Sequence, residues 1–246
     1  MSVRTQIERI NGEVSEQAAL LAQLGAAVDA LPDAGGGGVE DIIVTRSITN
    51  YTNDRITELG NSALAYCRSL ASVNLPLVTK LDSNAMAYCT SLTTVYIPLL
   101  KTTNTAAFRG CSNLASVDFS NIVTVGGYIV ADCPLIKHLR FPLATSVQNN
   151  AFANCRGLIT VEFAQKVDIS SYVFNNCTSL EAVILRGAEM STLSHAQTFA
   201  GSKVAAGTGY IYVPAALIDT YKAATNWSNY ANQFRAIEDY PEICEV

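Results

Sequence analysis

The chain has 246 residues, 49% hydrophobic and 15% charged, with a net charge of −5. That balance excludes a disordered chain, a basic nucleic-acid face and a polybasic membrane patch. No apolar run reaches the roughly 18 residues of a transmembrane helix, and two histidines in all exclude a His-rich metal site.

The opening residues Met1–Glu8 carry no apolar stretch, so no secretory signal is expected. From there Val3, Ile7, Ile10, Val14, Gln17, Leu21, Leu24, Val28 and Leu31 follow in alternating steps of four and three. This is an unbroken heptad seam and predicts a coiled-coil helix over 1–31. At 1.5 Å per residue it would run about 45 Å, and alone in water it would be marginal. Ile and Val at the a sites and a wide apolar face including Ala18, Leu20 and Ala27 favour a self-association of more than two strands, a trimer, with Gln17 setting register. The alternative is that the helix folds back onto the rest of the chain. Pro32 to Gly38 marks a flexible linker over 32–41.

The next segment is ruled by a period. Cys67, Cys89, Cys111, Cys133, Cys155 and Cys177 stand 22 residues apart, and the neighbouring columns keep step. Three after each cysteine come Leu70, Leu92, Leu114, Ile136, Leu158 and Leu180; eight after come Leu75, Ile97, Phe119, Phe141, Phe163 and Leu185. Three before come Leu64, Met86, Phe108, Val130, Phe152 and Phe174. A period of this length predicts a solenoid, because one coil cannot bury its own apolar residues and stacked coils can. The pattern L-x-x-V-x-L reads as a short half-buried strand, and Pro76, Pro98 and Pro142 end it because proline cannot donate to a ladder. The solenoid is expected over 42–202, entered by a strand at Ile42–Val44 and a half-coil at Ile56–Leu59. Disulfides, metal binding and packing are the three readings of the cysteines. Stacked neighbours would point in parallel rather than at each other, no C-x-x-C pair occurs, and packing as a small hydrophobe is preferred. Cys244 lies outside the register.

After Leu185 the period breaks. Phe199 continues its column with a three-residue shift and Ser202 takes the cysteine place. Tyr210–Val213 reads as a last strand. Pro214 and the spacing that follows, with Trp227, Tyr230, Phe234 and Ile237 in steps of three and four, predict a helical C-terminal cap over 203–246.

The pattern A-[FLM]-x-x-C-x-x-L-x-x-V-x-[LIF]-P, seen for example in Asn150-Ala151-Phe152-Ala153-Asn154-Cys155-Arg156-Gly157-Leu158, resembles the BspA-like leucine-rich repeats over about residues 42–237. The resemblance implies a right-handed leucine-rich-repeat solenoid with a parallel sheet on one face. No Asn or Cys follows the strand at the offset of the commoner repeat, so no asparagine ladder is expected. The closing run Tyr212-Val213-Pro214 … Tyr221 to Trp227 also resembles the ends of phage-encoded members associated with tails or fibres.

No nucleophile, phosphate-loop or paired-carboxylate motif is present, so neither enzyme activity nor any cofactor is expected. Outward strand positions form the candidate binding face: Asn74, Thr94, Tyr96, Asp118, His138, Arg140 and Glu162. Arg140 falls between Asp118 and Glu162 on adjacent strands, which reads either as a solvated charge ladder or as a recognition face with Tyr96 as aromatic anchor. The oligomerisation face is Ile7, Ile10, Val14, Gln17, Leu21, Leu24 and Val28. Together these predict a virion protein of tail or fibre type, made in the bacterial cytoplasm and meeting other virion proteins or a host surface glycan or protein. The alternatives are a BspA-like bacterial surface adhesin and an intracellular protein-binding scaffold.

Overall fold

A computed structural model of the chain describes residues 48–241 and Ile243. The coiled-coil seam, the linker, the strand expected at Ile42–Val44 and Cys244 lie outside the described residues.

The described chain winds into a parallel β-solenoid of about eight turns. Its strands, in chain order, are β1 (Asn50–Thr52), β2 (Glu58–Leu59), β3 (Ser72–Asn74), β4 (Lys80–Leu81), β5 (Thr94–Tyr96), β6 (Thr102–Thr103), β7 (Thr124–Val125), β8 (His138–Phe141), β9 (Ser146–Val147), β10 (Thr160–Phe163), β11 (Asp168–Ile169), β12 (Ala182–Leu185), β13 (Thr192–Leu193), β14 (Tyr210–Val213) and β15 (Phe234–Ala236). The longer strands are those expected from L-x-x-V-x-L, and each ends within two residues of its proline where one is present. Their register is one full period: Thr160 pairs with His138 before it and Ala182 after it.

The expectation of a sheet on one face needs correction, because the coils make two. Besides the expected strand face, split into β1-β3-β5 and β8-β10-β12-β14-β15, a seven-stranded ladder of two-residue strands runs from β2 to β13. Each coil turns a second corner after its proline and pairs again, for example Lys80 with Thr102 and Asp168 with Ser146.

The remaining side of each coil, leading to the cysteine, is ordered by backbone reversals. Five residues and one residue before each cysteine the backbone is left-handed: Ser62 and Tyr66, Asn84 and Tyr88, Ala106 and Gly110, Tyr128 and Asp132, Asn150 and Asn154, Tyr172 and Asn176. Alternate amides there bond to the next coil. Ser62, Leu64 and Tyr66 donate to the carbonyls of Ser83, Ala85 and Ala87 at 2.9, 2.8 and 2.7 Å. The third side is therefore a ladder without β geometry. It also carries side-chain rungs that the sequence pattern did not lead us to expect: Asn154 Nδ2 donates to Asp132 Oδ1 at 2.8 Å, and Asn176 Nδ2 to Asn154 Oδ1 at 3.1 Å. A short amide ladder thus exists, placed before the cysteine rather than after the strand.

The interior is the set of inward columns. Phe119, Phe141 and Phe163 stack at 5.5 and 5.2 Å, and Phe174 stacks on Phe199 at 5.0 Å. The six cysteines are buried and free. Each thiol also does more than fill space. Cys89, Cys111, Cys133, Cys155 and Cys177 donate to the carbonyls of Leu64, Met86, Phe108, Val130 and Phe152 in the preceding coil, at 3.0–3.2 Å. An alanine would fit but would remove this second donor from carbonyls such as those of Phe108, Val130 and Phe152, which also accept the N–H of the cysteine in their own coil at 3.1–3.2 Å. Burial pushes the Cys111 and Cys177 thiols up to about 12.

The C-terminal cap departs from the expected helical stripe. Among its described residues only Ile218–Ala223 (α1) is α-helical; Ala215–Leu217, Trp227–Gln233 and Ile237–Asp239 are 3-10 turns, and Phe234–Ala236 is a strand pairing in parallel with β14. A left-handed Asn226 and the non-helical Tyr230 break the helix that the three- and four-residue spacing predicted. The aromatic residues are core, as expected. Trp227 and Tyr230 close over Phe199, and Ser191 ties the cap down, its N–H donating to Tyr221 Oη at 2.7 Å and its carbonyl accepting from Trp227 Nε1 at 2.9 Å. Tyr240 and Ile243 cover Ala182, Ile184 and Tyr212 on the outer surface of β12 and β14.

Candidate functional site

The strand face is interrupted between β5 and β8, where Ser116–Phe119 stands in repeat register without forming a strand. The cause is local chemistry. Asp118 Oδ1 accepts from both the N–H and the hydroxyl of Ser120, and Asn121 Nδ2 donates to the Pro98 carbonyl at 2.7 Å. Side chains that bond the nearby backbone compete with a ladder. Ser120 occupies the place where neighbouring coils have Pro98 and Pro142. Val95 beside the break and Val117 within it are half-buried, although their column is otherwise inward.

The break opens a cleft of about 340 Å³ lined by Asp118, Ser120, His138, Arg140, Thr160 and Glu162, with Val117, Phe119, Leu139 and Ile184 as apolar walls. Four of the seven candidate face residues therefore meet at one place. Asn74, Thr94 and Tyr96 belong to the other sheet, and Tyr96 is 56% exposed.

The expected charge ladder is rearranged. Arg140 lies 3.6 Å from Glu162, while Asp118 is engaged by Ser120. Glu162 is not a solvated rung: its side chain is only 6% exposed and its nearer partner is Arg186, at 2.8 Å. Arg186 in turn donates to the Ile243 carbonyl, which joins the site to the C-terminal segment. Sequence reasoning missed Arg186; the signal was an arginine in the proline column. Thr160, one period after His138, is a further site residue that was not among the candidates; its hydroxyl lies 2.8 Å from His138 Nδ1.

This geometry suits binding. Glu162 holds two guanidinium groups in place, and Arg140, with 67% of its side chain exposed, keeps donors for a partner's carboxylate, carbonyl or hydroxyl. A second hollow of about 390 Å³ lies near the other ladder, beside the exposed Lys166–Glu189 pair. Among the described residues no group of three His, Cys, Asp or Glu side chains could hold a metal ion, and no helix is long and apolar enough to cross a membrane.

The match to a family model agrees with the fold. The model of the BspA type leucine rich repeat region matches residues 45–159 and 122–205, in six copies. Among solved structures the chain is similar to the leucine-rich-repeat protein TpLRR of T. pallidum, at 22% identity and TM-score 0.49, covering 55% of this chain and 68% of that one. It is also similar to a leucine-rich-repeat protein from Bacteroides ovatus, at 20% identity and TM-score 0.40 over 64% of this chain and 43% of that one. A leucine-rich cell surface protein from Faecalibacterium prausnitzii shows 18% identity and TM-score 0.36 over 60% of this chain and 64% of that one. No curated protein matches. With the family model spanning well over half the sequence and the coils stacked as its repeats require, the chain belongs to the BspA-type leucine-rich-repeat family.

Proposed function

We propose that the protein is a non-enzymatic binding scaffold of the surface-exposed type, and that it engages its partner at the cleft beside Arg140. The observation that carries this reading is the interruption at Ser116–Phe119, which converts a regular sheet surface into a recess with polar side chains at its rim. A leucine-rich-repeat solenoid is a rigid support for such a recess. The partner, a protein or glycan of a cell surface, presents acceptor groups to Arg140 and packs beside Tyr96. Labelled full-length protein binding to bacterial envelope fractions tests this. Arg140→Ala and Tyr96→Ala should each weaken attachment while the melting temperature is kept, and unchanged attachment in both dismisses the cleft.

A second reading places the same scaffold on a phage virion, as a tail or fibre component. It is favoured by the heptad seam through Ile7, Ile10, Val14, Gln17, Leu21, Leu24 and Val28 and the glycine linker behind it, which suit a trimeric stalk displaying three solenoids. Sedimentation of the full chain at three times the protomer mass supports the stalk. A monomer removes it, and finding the protein in cell envelopes but not in purified virions removes the virion.

A further inference from the structure

The third side of the solenoid, away from the cleft, carries a strip that packing alone does not explain. The left-handed positions before the cysteines are filled in several coils by Asn or Gly, the residues that tolerate such backbone. In four places they are filled by tyrosine: Tyr66, Tyr88, Tyr128 and Tyr172, with φ between 55° and 62°. A bulky side chain there is strained by roughly 1–3 kcal/mol, and such strain persists where the surroundings hold it for a purpose.

Three of these rings form one continuous surface with a charged pair. Tyr66 and Tyr88 stack at 5.0 Å with planes 12° apart, and Tyr66 is 45% exposed. In the next coil two departures from the repeat occur side by side. Gly110 replaces a side chain, and a Cβ there would meet Tyr88 Cδ1 at 2.5 Å, so the glycine makes room for the ring. Arg109 stands where the neighbouring coils have Ala87 and Ala131. Its guanidinium lies 5.0 Å from the Tyr128 ring centroid and 5.9 Å from that of Tyr88, and its Nε is 3.0 Å from Asp132 Oδ2. The Asp132–Asn154–Asn176 amide ladder continues the strip.

We propose that this strip is a second binding site, and that it takes a neutral carbohydrate chain laid across the coils. The tyrosine rings offer flat surface to the apolar C–H faces of sugar rings and hydroxyls at their edges. Asp132, Asn154 and Asn176 present donors and acceptors in a row, the pairing that sugar hydroxyls need because each both gives and accepts. Arg109 and Asp132 cancel each other's charge, and the chain carries −5 overall, so acidic and phosphorylated polymers are disfavoured. The site shares no residue with the cleft and stands or falls without it.

The test is a printed array of neutral and acidic oligosaccharides probed with the full chain, followed by calorimetric titration of the best neutral hit. Tyr66→Asn and Tyr88→Asn are the informative variants, because asparagine occupies equivalent left-handed positions at Asn154 and Asn176 and relieves rather than adds strain. Each is expected to weaken binding by at least about tenfold with the fold kept. Arg109→Ala is expected to do the same. Retention of no neutral oligosaccharide, retention of acidic ones alone, or equal binding by wild type and the asparagine variants overturns the proposal.

Discussion

The seven-strand ladder and the strand face are made by the same coils, yet only the ladder runs unbroken from end to end. The ladder strands are two residues long and owe their pairing to the spacing of the coils. The strand face uses three or four residues per coil and is exposed to competition from their side chains. The one coil that leaves it is the one in which an aspartate side chain bonds the serine two residues on. Continuity in a solenoid is thus set by the core, while each face can be edited one coil at a time, and the edit at Asp118 is where the cleft lies.

The first way to break this comparison is to attack what both faces share. The fold holds the buried thiols protonated, with Cys111 and Cys177 raised to about 12 from 9.0. The stability this contributes is fully present below the unfolded thiol value and is lost as pH climbs from about 9 toward 12, because the unfolded chain releases those protons first. Alkali should unfold both faces in one transition within that window. Circular dichroism against pH checks it, and separate transitions for the two faces would contradict a shared core. Phe152→Ala removes a ring packed between Phe141 and Phe174 and should cost about 3–5 kcal/mol by denaturant titration.

Smaller effects separate the faces. Arg186→Ala leaves the buried Glu162 with its more distant partner only and should cost about 2–4 kcal/mol. Asp118→Val removes the competing acceptor. It should draw Ser116–Phe119 into a continuous strand face, stabilise by about 1 kcal/mol and slow amide exchange in that segment; exchange as fast as before would mean the break has another cause. Arg140→Ala should cost under about 1 kcal/mol in stability, so its loss of binding would be a clean functional signal.

Much of the coil was legible because its columns repeat. The cysteine, leucine and phenylalanine positions are buried as their spacing required, and Pro76, Pro98 and Pro142 end strands. The two-residue ladder was not legible, since Thr102–Thr103 or Glu58–Leu59 is too short to show alternation. The strand Phe234–Ala236 was hidden by aromatic spacing that mimics a helix, which the backbone breaks at Asn226 and Tyr230. Four site residues were readable as one outward column pair, but their meeting in a cleft depends on Asp118 choosing Ser120 over Arg140, which column counting cannot show. Arg186 was overlooked because its column otherwise holds a strand terminator rather than a partner for Glu162.

The stacking of Phe174 on Phe199 has a further consequence. These rings are 25 residues apart rather than 22, yet their planes are within 3° and the rings 5.0 Å apart. The extra residues are absorbed in the coil around Ser191 without disturbing the stack, so the core counts turns and not residues. Such a chain can change length during its descent by gaining or losing a whole turn between unchanged ends. A copy of residues 134–155 inserted after Cys155 should yield a protein one rung longer, still closed by the same cap.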